Sequence, residues 1–204
     1  MKLVGMLDSP YVRRVAISLD LLGIPFTHEP LSVFAGFDAF RAINPVVKAP
    51  TLVTDDGVVL MDSGLILEYA ARRAPGGRRL QPESMGDFAR VQRLTGLALA
   101  ACEKTVQIVY EHSLRPAGKR HQPWLERVTG QLRQACRLLE EEIGPADPWL
   151  FGIHPVQADI TIAVACRFTQ DMLPQVMESQ TFPRLAAFSV RAEATDAFAA
   201  YPCS

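Results

Sequence analysis

The sequence predicts an α/β domain followed by an all-helical one. Three observations carry this. Up to about residue 73, short apolar runs of strand length alternate with helical periodicity. The composition then breaks at Ala74-Pro75-Gly76-Gly77-Arg78-Arg79, a turn-rich stretch of the kind that separates folding units. Beyond residue 84 no strand pattern survives, and helical segments fill the rest. The expected boundaries are 1–77 for the α/β domain, 78–83 for a linker and 84–204 for the helical domain.

The first run, Leu3-Val4-Gly5-Met6-Leu7, is brief and apolar and ends at turn-prone Asp8, as a buried strand does. Ser9-Pro10-Tyr11-Val12-Arg13-Arg14 follows. Val12, Val15, Ala16, Leu19 and Leu22 share one helical face, and Gly23 closes it. Proline suits the first helical position, so Ser9 is expected at the N-cap. That end collects unsatisfied N–H groups and carries about half a positive charge, which would stabilise a thiolate. Most N-cap serines only cap, so the tripeptide alone does not assign a function.

Phe26-Thr27-His28-Glu29-Pro30-Leu31 alternates as a second strand, and Phe34 to Ile43 reads as a short helix stopped by Asn44-Pro45. Ala49-Pro50-Thr51-Leu52-Val53-Thr54 is a strand opened by proline. Asp55-Asp56-Gly57 then signals a hairpin returning through Val58-Val59-Leu60-Met61. Asp62-Ser63 caps a helix to Arg73. Strands joined by helical crossovers are expected to be parallel, and the final pair antiparallel.

The helical domain divides into segments at Asp87–Ser113, Pro123–Ile143, about Val156–Leu173 and Phe182 to about Ala200. In the second, Leu125, Val128, Leu132, Ala135, Leu139 and Ile143 keep helical spacing. Glu140-Glu141-Glu142 reads as a solvated face.

A formal net charge of −1 argues against a nucleic-acid or anionic-membrane partner. No segment approaches the roughly 20 apolar residues of a membrane span. The N-terminus runs straight into a strand without a leader pattern, so a cytoplasmic location is expected. Cys102, Cys136, Cys166 and Cys203 form no Cys-x-x-Cys pair and have no histidine at ligand spacing, so no metal site is expected.

Four patterns together resemble the cytosolic glutathione S-transferases, a thioredoxin-like domain followed by a helical one, over essentially the whole chain. They are Ser9-Pro10-Tyr11-Val12-Arg13, similar to the active-site turn of bacterial serine-type members; Asn44-Pro45-Val46-Val47-Lys48-Ala49-Pro50-Thr51-Leu52, similar to the cis-proline segment; Asp62-Ser63-Gly64-Leu65-Ile66-Leu67-Glu68-Tyr69; and Gly152 through Ala158-Asp159-Ile160. The resemblance implies Pro50 in cis, with the backbone of Ala49 pairing glutathione as an extra strand. It implies Ser63 as the seat of the γ-glutamyl carboxylate, Asp62 near the α-amino end, and Lys48 on the glycine carboxylate. Tyr11, Phe34, Tyr110 and Arg167 are the expected wall of an electrophile pocket.

The turn departs from dithiol relatives. Ser9 and Val12 occupy the positions of a Cys-x-x-Cys, so dithiol exchange there is excluded. What remains is activation of a bound thiol. Lowering a thiol pKa from about 8.5 by ~2 units takes ~2.7 kcal/mol of thiolate stabilisation, the order of one charge-assisted hydrogen bond plus a helix end. Two further departures are Val156 where the family has a capping Ser or Thr, and Ala49 in place of valine.

The expectation is therefore a detoxifying transferase that activates glutathione, its co-substrate, for attack on a small hydrophobic electrophile. A homodimer is expected, with Gly96, Ala98, Ala100 and Ala101 suited to close helix packing. The alternatives are a non-catalytic binding or regulatory protein resembling the stringent starvation proteins, and a glutathione-dependent isomerase or dehalogenase.

Overall fold

The computed structural model describes residues 1–144 and 148–203; residue 204, the expected end of the second domain, lies outside them. The chain forms two compact units. One comprises Met1–Leu80 together with the chain from Ala194 onward, and the other Gln81–Glu193.

In the first unit the order is β1 (Lys2–Val4), α1 (Pro10–Leu21), β2 (Thr27–Glu29), α2 (Phe37–Ile43), β3 (Thr51–Val53), β4 (Val59–Met61) and α3 (Ser63–Arg73). The sheet order is β2-β1-β3-β4. β1 runs parallel to β2, with Leu3 opposite His28, and antiparallel to β3, with Leu3 opposite Leu52. β3 and β4 form the expected antiparallel hairpin.

The direction of β3 corrects the expectation of parallel strands. A parallel crossover needs its helix to carry the chain back to the starting end of the sheet. The connection through seven-residue α2 does not make that return, so β3 enters from the end where β2 finishes. Leu3, Val4 and Leu52 of the sheet, with Val12, Val15, Ala16 and Leu19 of α1 and Ile66 and Ala70 of α3, are fully buried. Each such large side chain contributes ~1.5–3 kcal/mol relative to exposure.

Gly5 ends β1 at φ 139°, and a Cβ there would stand 2.6 Å from Val12 Cγ2 and 3.2 Å from the Ala49 Cβ. Only glycine lets the start of α1 and the segment before β3 close on the end of β1.

Residues 194–203 were expected with the helical domain, but they cluster with the first unit. The single helix expected from Phe182 to about Ala200 is two, α7 (Pro183–Glu193) and α8 (Asp196–Ala199). Thr195 adopts extended backbone between them, with Asp196 in the new first turn, a restart signal. Buried Arg13 of α1 fastens this tail. Its Nε donates to the Tyr201 carbonyl at 2.7 Å, and its guanidinium lies 5.7 Å from the Phe198 ring centre. The Tyr201 ring stacks on Phe26 at 5.8 Å.

The second unit holds α4 (Met85–Ser113), α5 (Gln122–Ile143), α6 (Gln157–Met172) and α7. The six apolar residues expected on one face of α5 are all buried. α6 is buried nearly all round, as the central helix of a bundle must be. The triple glutamate is not simply a solvated face. Glu140 accepts from the amides of Arg184 and Leu185 at 2.9 and 2.8 Å, capping the start of α7, and Glu142 pairs with Arg93 at 2.6 Å. Both contacts satisfy groups brought close only by the tertiary fold.

Candidate functional site

Ser9 is the N-cap of α1, at φ −73° and ψ 121°, with Pro10 next. Its side chain makes no cap hydrogen bond; its carbonyl accepts from Arg13 N at 3.0 Å. The hydroxyl is therefore not consumed in holding the helix. Proline offers no N–H, so the first helical amides at this end are those of Tyr11 and Val12. Tyr11 itself is half-buried.

The segment before β3 is held by one side chain that sequence reading took only for a helix stop. Buried Asn44 accepts from Val46 N at 3.0 Å through Oδ1 and donates to Thr51 Oγ1 at 2.9 Å. Thr51 Oγ1 in turn donates to the Lys48 carbonyl at 2.7 Å. Val47 sits at φ 53°, a region that β-branched residues rarely enter. The loop thus presents Lys48 and Ala49 in one fixed conformation. Lys48 is exposed, Ala49 half-buried, Pro50 buried, and the Ala49–Pro50 peptide is cis.

Asp62 caps α3, its Oδ1 accepting from Gly64 N at 2.9 Å, from a backbone φ of 72°. Non-glycine residues pay about 1–3 kcal/mol for such conformations, which cluster at ligand clamps. Ser63, the first residue of α3, is 5% exposed, and its hydroxyl accepts from Arg14 Nη1 at 2.9 Å. Arg14 is the residue that sequence reading missed. It stands in the quoted turn motif, but nothing in its local pattern points across 49 positions to Ser63.

The fold gathers these pieces within one unit. Gly5 brings the start of α1 against Ala49, and Arg14 brings the same helix against the start of α3. The other expected residues are spread more widely. Phe34 is 56% exposed in the first unit. In the second, Tyr110 is 43% exposed on α4, and exposed Arg167 on α6 pairs with Asp171 at 2.9 Å. Two surface cavities of that unit, about 430 and 440 Å³, contain neither Tyr110 nor Arg167 in their walls.

Burial pushes the Cys136 thiol up to about 12 and the Cys166 thiol well above its ordinary value, so neither is a nucleophile near neutrality. Among the described residues, no group of three His, Cys, Asp or Glu is placed to hold a metal, and no helix is long and apolar enough to cross a membrane.

Comparisons with known proteins agree with this fold. The family model for the glutathione S-transferase N-terminal domain matches residues 3–78, and that for the C-terminal domain residues 122–191. The GST-like protein YibF of Escherichia coli is 30% identical over 140 residues, covering 69% of this chain and 68% of its own. A maleylacetoacetate isomerase of Pseudomonas aeruginosa is 29% identical over 171 residues, covering 78% and 77%. A glutathione S-transferase of Methylobacterium radiotolerans, solved in complex with glutathione sulfonate, superposes with a TM-score of 0.90 at 25% identity, over 98% of this chain and 93% of that one. An α/β unit with a small mixed sheet, a helical unit and both family models lead to one conclusion: the chain belongs to the glutathione S-transferase family.

Proposed function

We propose that the protein is a glutathione transferase in which Ser9 stabilises the glutathione thiolate. The observation that carries this reading is the Ser9 hydroxyl, held at the start of α1 and free of any cap hydrogen bond. A thiolate there receives a charge-assisted hydrogen bond from the hydroxyl and the partial positive charge of the helix end. The thiol proton passes to water, the sulfur attacks an electrophilic carbon, and a leaving group such as chloride departs. The peptide is held by the Ala49 backbone beside Pro50, by Asp62 and Ser63, and by Lys48 at its glycine carboxylate. Tyr11 and Phe34, both in the first unit, remain proposed contacts of a small hydrophobic electrophile.

A second reading, a glutathione-dependent isomerase, is favoured by the similarity to a maleylacetoacetate isomerase. It shares the thiolate and differs in the electrophile. One experiment separates the readings. The protein is tested for retention on immobilised glutathione, for conjugation of a chlorinated aromatic, and for cis–trans isomerisation of a maleyl diacid. Retention with conjugation supports the transferase, and retention with isomerisation alone supports the isomerase. No retention assigns the chain to non-catalytic members of the fold.

We also propose a homodimer. β4 is an edge strand, and Val58, Val59, Met61 and nearby Leu65 are 54%, 42%, 38% and 62% exposed. An apolar, unpaired edge invites a second copy. Of the small residues expected to pack helices between copies, Ala98 and Ala101 are buried within their own unit, leaving Gly96 and Ala100 nearer the surface.

A further inference from the structure

Arg14 is only 2% exposed and Ser63 only 5%, and the guanidinium donates to the serine hydroxyl at 2.9 Å. Neither local task explains the pair. Capping of α3 is done by Asp62, whose carboxylate takes the Gly64 amide, so Ser63 is not needed for it. Packing of α1 on α3 would be served by an apolar side chain of similar length without burying a charge, an exchange that is often neutral or stabilising. A hydroxyl has one proton to give and two lone pairs to accept with. With one lone pair of Ser63 turned to Arg14, its proton is directed to a different acceptor. The guanidinium stays charged at any working pH, so that acceptor is favoured when it is negative.

We propose that Arg14 is a positioning residue that turns Ser63 into a hydrogen-bond donor and makes its surroundings selective for a carboxylate over a neutral amide. The inference rests on the glutathione reading, in which the group held at Ser63 is the α-carboxylate of the γ-glutamyl residue. Arg14 does not touch the peptide; it acts through the serine and through its own charge. Because Arg14 and Ser9 stand on the same helix, the anion seat and the thiolate seat are fixed to each other through one rigid element.

The test is a binding titration with two probes, glutathione and its analogue bearing a primary amide in place of the γ-glutamyl α-carboxylate. Wild type is expected to bind the amide at least about tenfold more weakly, the equivalent of one charge-assisted contact. Arg14→Met is expected to lose about tenfold for glutathione and little for the amide, so the ratio collapses. Ser63→Ala is expected to lower the ratio too, and Arg14→Lys, which keeps the charge, to restore most of it. A merely structural arginine would weaken both probes together and leave the ratio intact.

A wild-type ratio near one overturns the proposal whatever Arg14→Met does to folding. So does a wild-type ratio retained in a folded Arg14→Met. If wild type binds neither probe, the glutathione reading falls and takes this inference with it. If it binds glutathione and the ratio survives the substitution, only the inference falls.

Discussion

Ser9 and Asp159 are single residues whose surroundings set their chemistry in opposite ways. Ser9 keeps an uncommitted hydroxyl at a helix end. Ser9→Ala should slow conjugation ~10- to 100-fold, the scale of one charge-assisted hydrogen bond, while glutathione affinity changes far less. Steady-state kinetics with a chlorinated aromatic check both numbers. Asp159, fully buried, accepts from Leu150 N at 2.9 Å and Val156 N at 2.8 Å. Burial outweighs these bonds and raises its carboxyl from 3.8 to about 6. The folded chain therefore binds this proton more tightly than the unfolded one. Its contribution to stability is present below the unfolded pKa and is lost as pH rises through about 6. Denaturant unfolding of wild type and Asp159→Asn from acid to neutral pH should show the difference between them shrinking toward the acid side. Parallel curves would contradict the assignment.

At the scale of elements, the start of α6 is incompletely capped. Asp159 reaches back to the Val156 amide, but valine has no acceptor to return to the Asp159 amide, so half of the reciprocal pair is missing. Val156 already has extended N-cap backbone and is only half-buried. Val156→Thr should therefore stabilise the protein by about 1 kcal/mol without altering conjugation. A lower melting temperature would mean that the valine methyls pack and the missing acceptor is immaterial. The limits of the sequence also show at this scale. Ser9, Asp62 and the α5 stripe were legible because caps and periodicity are local signals. The direction of β3 was not, since it depends on where a short connection leaves the chain. The Glu140 cap on α7 and the Arg14 contact with Ser63 span 44 and 49 positions, which no local pattern encodes.

For the molecule as a whole, the exposed β4 edge and Leu65 make self-association the expected state. Sedimentation at micromolar concentration should give twice the 22.5 kDa chain mass, and Val59→Lys with Leu65→Glu should shift it toward the single chain. A wild-type mass of one chain would leave that face uncovered and contradict the dimer. The tail from Ala194 onward was misplaced by sequence reading. Its short helix continues the helical composition, while the carbonyls of Phe198 and Tyr201 on Arg13 and the Tyr201 ring on Phe26 tie it to the first unit.

The central claim is that this chain lowers the pKa of a glutathione thiol through Ser9. Ultraviolet titration of the thiolate, with glutathione bound to wild type and to Ser9→Ala, tests it most directly. Wild type should titrate ~2 units below the free thiol's value of about 8.5, and the variant should recover at least ~1 of those units. A bound thiol that titrates like free glutathione in wild type, or identically in both proteins, would contradict the account.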